Sequence, residues 1–190
     1  MAGKLPAGLA ALVARAGPQR ALPPIEKWNP PYCGAIDMRI AADGQWFYMG
    51  SPIGRMPLVR LFASVLKREG DDFFLVTPVE KVGIRVDDAP FLAVEMFAEG
   101  EGAEARLTFR TNVGDLVAAG ADHPPRFATE AETGGLKPYI EVRAGLEALV
   151  SRSLVHDLVA RAEIRNEAFG IWSGGVFFEI ASAKDMETFS

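Results

Sequence analysis

The chain has 190 residues, of which 49% are hydrophobic and 24% charged, enough for a packed core in one large domain or two small ones and unlike a disordered chain. A net charge of −5 and a pI near 5.1 argue against general binding to nucleic acid or to an anionic membrane. One cysteine, Cys33, excludes an intramolecular disulfide and a cysteine-rich metal knot, which suits a reducing interior.

The opening "MAGKLPAGLAALVARAG" sets Lys4 before a short apolar stretch that Pro6 and Gly8 weaken and Arg15 ends. Leu5, Leu9, Leu12 and Val13 fall at helical spacing, so an amphipathic helix over residues 4–16 is expected rather than a signal peptide. No apolar run approaches the roughly 18 residues of a spanning helix, and a cytoplasmic protein with no membrane contact is expected. "GPQRALPPIEKWNPPYCG" holds five prolines in 18 residues and reads as an extended linker. "AIDMRI" and "QWFYMG" flank Asp43-Gly44 and predict a β-hairpin.

"MPLVRLFASVLKRE" predicts one long helix, with Leu58, Leu61, Phe62, Val65 and Leu66 as its apolar stripe, Pro57 at its first position and Gly70 as its stop. "FFLVTP", "KVGIRVDD", "FLAVEMF" and "ARLTFRT" follow as strands. Their half-polar alternation marks antiparallel sheet with one wet face. Residues 113–135 read as loop, "PYIEVRAG" as a strand, and "LEALVSRSLVHDLVARAEI" as a second long helix striped by Leu146, Leu149, Val150, Leu154 and Leu158. "GIWSGGVFFEI" closes as a hairpin.

"RMPLVRLF" (55–62) and "RAGLEALV" (143–150) share the order arginine, leucine, apolar residue after a strand. The order of elements suggests two similar α+β units split in the solvated turn near 96–102. The expected division is 1–24 for the N-terminal helix and linker, 25–98 for the first unit and 99–190 for the second. The expected fold class is therefore α+β, with two mainly antiparallel units, each carrying one amphipathic helix.

Longer motifs carry a resemblance. The hairpin of Asp43, Gly44, Trp46 and Phe47 is followed by Ile53, Arg55, Leu58, Leu61 and Phe62. Then come Thr77, Pro78, Val79, Glu80 and Lys81, and next Val86, Asp88, Pro90 and Phe91. In this succession the chain resembles the bacterial family called domain of unknown function 1285. "TNVGD", "YIEVRAGLEALVSR" and "GIWSGG" extend the likeness to nearly the whole chain, and Gln45 departs from it where a small hydroxyl residue is expected. The resemblance implies a duplicated domain whose second half is similar to pleckstrin-homology-like barrels. It also implies a ligand groove between the halves, for a nucleotide-like molecule in a signalling role, and it implies no established activity.

The residues themselves offer an anion site before each predicted helix. A helix N-terminus has free N–H groups and a partial positive charge, and Arg55 or Arg143 would add a bidentate donor for phosphate. An ion pair from Arg55 to Asp37 or Glu80 is the plainer alternative. Lys81 and Glu80 point to opposite faces of their strand, so one of them would reach a ligand. Arg110 would assist the arginines, and Trp46 would stack on a planar ring unless it is core. Catalysis finds little support: there are two histidines, His123 in a proline-rich loop and His156 beside a helical stripe. No nucleophile elbow, His-Glu-x-x-His or P-loop occurs, no metal site is expected, and Cys33 is expected to be buried and inert. The leading expectation is a non-enzymatic binding or signal-transduction protein for an anionic, nucleotide-like small molecule. Alternatives are a protein-interaction scaffold using an edge strand of the second unit, and a hydrolase built from Glu80, Asp88 or His156.

Overall fold

In the computed structural model, which describes residues 4–15 and 21–186, the Asp43-Gly44 turn does make a hairpin. It joins β1 (Tyr32–Ile40) to β2 (Trp46–Tyr48), with Met38 opposite Tyr48 and Ile40 opposite Trp46. Gly44 has a φ of 81°, and the Asp43 side chain accepts the Gln45 N–H at 3.0 Å, so both turn residues do what their chemistry suits. The chain divides into two units at Pro90/Phe91 rather than in the turn near 96–102, because the strand that runs to Glu99 belongs with the second unit.

The first unit starts with α1 (Ala7–Ala14), shorter at both ends than the 4–16 expected, although residue 16 lies outside the described residues. The prolines then keep residues 21–31 out of regular structure apart from one turn of 3-10 helix at Ile25–Lys27. After β2 come β3 (Ser51–Pro52), α2 (Met56–Ser64), β4 (Leu66–Glu69), β5 (Asp72–Val76) and β6 (Lys81–Val86). The long helix read over 56–69 is thus half helix and half strand. Leu66 pairs with Leu75 and Lys67 with Phe74, and burying Leu66 in a sheet outweighs a helical preference that is weak in a short segment. Gly70, with φ 62°, turns the β4–β5 hairpin and does not stop a helix. The sheet runs β3-β2-β1-β6-β5-β4, antiparallel except between β1 and β6. Its core face carries Met38, Ile40, Trp46, Leu75 and Val82, and α2 lays Phe62 on Trp46, rings stacked at 6.3 Å.

The second unit contains β7 (Phe91–Glu99), β8 (Arg106–Thr111), β9 (Leu116–Ala118), β10 (Pro125–Thr129), β11 (Leu136–Arg143), β12 (Leu146–Val150) and α3 (Arg152–Val159). A small sheet of β13 (Glu163–Arg165), β14 (Ala168–Ser173) and β15 (Val176–Ser182) follows, then α4 (Ala183–Met186). Two strands, β9 and β10, occupy the stretch read as loop. The long helix read over 146–164 is a strand followed by a short helix. Ala144 (φ 47°) and Gly145 (φ 75°) make a two-residue hairpin turn, and Leu146, Ala148 and Val150 are buried alternately, the period of a strand.

The 55–62 and 143–150 likeness therefore pairs a helix with a strand and is not the repeat. The repeat is in the sheets. The second runs β10-β11-β12-β7-β8-β9, with β7 and β12 parallel. Each six-stranded sheet is two three-stranded meanders joined by a parallel pair between its first and sixth strands. In the first unit the helix links the third strand to the fourth; in the second it follows the sixth. The chain is α+β, made of two similar β-sheet units with few helices.

Within the second unit the small sheet is stitched to the six-stranded sheet by Ser173, which is fully buried. Ala119 N donates to Leu107 O at 2.8 Å, as a β8–β9 ladder requires. The return bond passes through the serine: Leu107 N donates to Ser173 Oγ at 2.9 Å, and that hydroxyl donates to Ala119 O at 2.7 Å.

Candidate functional site

The residues singled out from sequence fall into different surroundings. Trp46 is 1% exposed, and its Nε1 has no partner among the described residues, so it is core and offers no face to a ligand. Glu80 is also buried, and its Oε1 accepts the Leu9 N–H at 2.8 Å. Arg55 is exposed at the N-cap of α2, with no ion-pair or hydrogen-bond partner for its guanidinium among the described residues. The expected brace to Asp37 or Glu80 is not formed.

In the second unit, Arg143 ends β11 instead of opening a helix. It pairs with Asp115 at 2.9 Å and lies over the Phe91 ring, 5.0 Å from its centroid. Arg110 pairs with Glu95 at 2.6 Å. That hydrogen bond from Arg110 holds the Glu95 carboxyl below its ordinary range and raises the guanidinium above its own. His123 faces Glu141 O at 3.1 Å through Nδ1, and His156 is exposed on α3. Cys33 is exposed, contrary to expectation, with its thiol 3.4 Å from Pro31 O. Among the described residues no group of three or more His, Cys, Asp or Glu side chains could hold a metal ion. No described helix is long and apolar enough to cross a membrane.

Lys81 is the exception that leads to a concave place. The parallel β1–β6 pairing sets Tyr32 against Lys81 and Ala35 against Gly83, while β5 sets Phe74 against Gly83 from the other side. Gly83 has no side chain, so the Tyr32 hydroxyl leans over it: a Cβ there would lie 3.2 Å from Tyr32 Oη. Tyr32 and Phe74 meet edge to face, centroids 5.9 Å apart. Beside them opens a hollow of about 460 Å³, lined by Tyr32, Ala35, Asp72, Phe73, Phe74, Lys81, Gly83 and Ile84.

Lys81 Nζ sits 4.7 Å from the Phe74 centroid and 2.8 Å from Glu69, which Lys67 also approaches at 3.3 Å. The hydrogen bond from Lys81, with Lys67 behind it, holds the Glu69 carboxyl below its usual range. One carboxylate thus serves two ammonium groups. The arrangement can take a planar ring against the aromatics and a charged group at Lys81. Tyr32, Phe74, Gly83 and Glu69 escaped the sequence reading. The signal for them was a glycine alternating with Lys81 and Arg85 in "KVGIR", opposite an aromatic strand.

The fold has known relatives. "Domain of unknown function (DUF1285), N-terminal domain" matches residues 23–89, and "Protein of unknown function (DUF1285), C-terminal domain" matches residues 90–180. A DUF1285 family protein from Silicibacter pomeroyi DSS-3, solved by crystallography, is 53% identical. The match covers 95% of this chain and 98% of that one, with a TM-score of 0.88. A second, from Shewanella baltica OS155, is 28% identical over 65% of this chain and 91% of that one, with a TM-score of 0.52. No curated protein matches. With both halves matched and the order of the two domains kept, the chain belongs to the DUF1285 family.

Proposed function

We propose that this is a non-enzymatic ligand-binding protein with a signalling role, and that its ligand is a small anionic, nucleotide-like molecule. The observation that carries this reading is the hollow on the first unit. Its volume of about 460 Å³ falls in the range of small-molecule sites, it has two aromatic walls, and a lysine stands at its rim. The ring would lie against Phe74 and Tyr32, and the anionic group would replace Glu69 as the partner of Lys81. Arg55 gives the protein a second, separate cation with no competing carboxylate among the described residues. We take the second half as pleckstrin-homology-like, as the family resemblance implies, while the reading of function stands on the hollow.

The test is a thermal-shift screen against nucleotides, nucleotide second messengers and sugar phosphates at two salt concentrations. A ligand at 100 times its Kd stabilises by about 2.7 kcal/mol, an easily read shift. The reading expects a hit that Lys81→Ala and Phe74→Ala abolish and Arg55→Ala leaves in place. A hit lost only in Arg55→Ala moves the site to the start of α2, and a screen with no hit overturns small-molecule binding. In that last case the scaffold reading takes over. It is favoured by β15, which among the described residues pairs with β14 alone and is an edge strand of its sheet.

A further inference from the structure

Glu69 occupies the anion position at the rim of the hollow. It ends β4 beside the Gly70 turn. Its Oε2 accepts from Lys81 Nζ at 2.8 Å and its Oε1 faces Lys67 Nζ at 3.3 Å, one oxygen for each ammonium. Both lysines belong to the aromatic wall. Lys67 stands opposite Phe74 across β4 and β5, so the two share a sheet face, and Lys81 Nζ lies 4.7 Å from the centroid of the same ring.

The carboxylate is the removable member of this trio. Its side chain is 40% exposed, against 23% for each lysine. Turning Glu69 outward returns its charge to water, and an ion pair this exposed costs little to open. Neither lysine has another ion-pair partner among the described residues, so two ammonium groups are then left beside Phe74. Asp72, opposite Glu69 across the same strands, also lines the hollow. An incoming anion therefore meets one carboxylate that it must displace and a second that repels it.

These charges decide which anion binds. Glu69 is part of the same chain, so it competes at an effective concentration of roughly millimolar. A carboxylate or a phosphodiester brings one negative charge, exchanges it for the one displaced, and gains nothing against Asp72. A terminal phosphate monoester brings about −1.5 to −2 at pH 7 and three acceptor oxygens. Two of these take the places of Glu69 Oε1 and Oε2, and the surplus charge drives the exchange.

We propose that the hollow takes a nucleotide by a terminal phosphate bridging Lys67 and Lys81, and that Glu69 is the internal competitor that turns away phosphodiesters and carboxylates. The inference rests on the ligand reading above and narrows it. A nucleoside 5′-monophosphate fits; a 3′,5′-cyclic nucleotide, whose phosphate is a diester, does not.

Titration calorimetry tests it with AMP, GMP, CMP and UMP, each beside its 3′,5′-cyclic form. The proteins are the parent chain, Glu69→Gln and Lys67→Ala, with circular dichroism melts to check that each variant folds. At least one monophosphate should bind the parent about tenfold more tightly than its cyclic form, and Lys67→Ala should cut that preference to about twofold. Glu69→Gln should tighten both forms by about fivefold, because the competitor is gone. A monophosphate bound no better than its cyclic form overturns the inference, and so does a Glu69→Gln variant that binds no better than the parent. In either case binding that Phe74→Ala still abolishes leaves the ligand reading standing. No binding of either form, to the parent or to Glu69→Gln, overturns both.

Discussion

Ser173→Ala removes one oxygen and no volume of consequence, yet it removes the only link in a relayed ladder bond. The hydroxyl is fully buried, accepts from Leu107 N at 2.9 Å and donates to Ala119 O at 2.7 Å. Leu107 and Ala119 are themselves 2% and 3% exposed, so water does not reach the gap from the surface. The alanine leaves one buried donor and one buried acceptor facing each other across the space the hydroxyl filled. At about 1–3 kcal/mol for each unsatisfied group, and with partial closure of the strands, the expected loss is about 2–4 kcal/mol. For a unit of this size each kcal/mol lowers Tm by about 4–8 °C. Urea unfolding measures the total, and hydrogen exchange at the Leu107 amide localises it: protection there should fall further than at the neighbouring β8 amides. Ser153→Ala, at an exposed hydroxyl, is the control. A loss below about 0.5 kcal/mol with Leu107 still protected would mean that β8 and β9 close the bond directly, and the stitching argument would be wrong.

Gly170→Ala should be worse than its chemistry suggests, because a Cβ would lie 2.3 Å from Phe178 O and 3.0 Å from Glu179 Cα, both backbone. A cost at or above about 3 kcal/mol, with loss of protection along β15, is expected; a variant as stable as the parent would refute the register at that bulge. Trp46→Phe should lie within about 1 kcal/mol of the parent by urea melt, since it trades packing area for removal of a buried N–H that has no partner among the described residues. Asp87 is held below its ordinary range by the hydrogen bond from Arg39, at 2.5 Å, with Arg85 adding to it. A lowered folded-state pKa means that this stabilisation is complete above the unfolded carboxyl value near 4 and is lost as pH falls through the folded value. Carboxyl NMR titration should therefore place Asp87 below a typical aspartate, and Arg39→Met should move it back up; an unshifted Asp87 in the parent sinks the assignment.

Much of the strand pattern was legible because it rests on local chemistry. The Asp43-Gly44 hairpin, the strands at 73–76, 81–86, 91–99 and 106–111, and the closing Gly174-Gly175 hairpin all follow from alternation bounded by turn residues. The two long helices were misread for a common reason. Leu58 to Leu66 and Leu146 to Leu158 each run an apolar helix pattern straight through a strand boundary, and no glycine or proline marks the change. In both places a partner strand decides: Leu75 for Leu66, and Tyr139 for Leu149. Such partners lie outside any local window. The site residues fared similarly. By sequence Arg143 precedes a helix because Leu146 opens the apolar stripe; with 146–150 a strand, its guanidinium has Asp115 as a neighbour instead of a helix start.

The duplication rests on the two sheets and not on the likeness of 55–62 to 143–150. Two meanders joined through a parallel first-to-sixth pair is a specific topology, and its recurrence in both halves is hard to attribute to the general rules of strand pairing, which favour antiparallel neighbours. What changed between the halves is the position of the helix and the use of buried polar groups. The first unit uses Glu80 to fasten an arm, and the second uses Ser173 to fasten a small sheet. In each case one buried oxygen accepts a backbone N–H from an element outside the six-stranded sheet or offered to one. A repeated sheet with different attachments at a single polar anchor is what duplication followed by divergence of the periphery would leave.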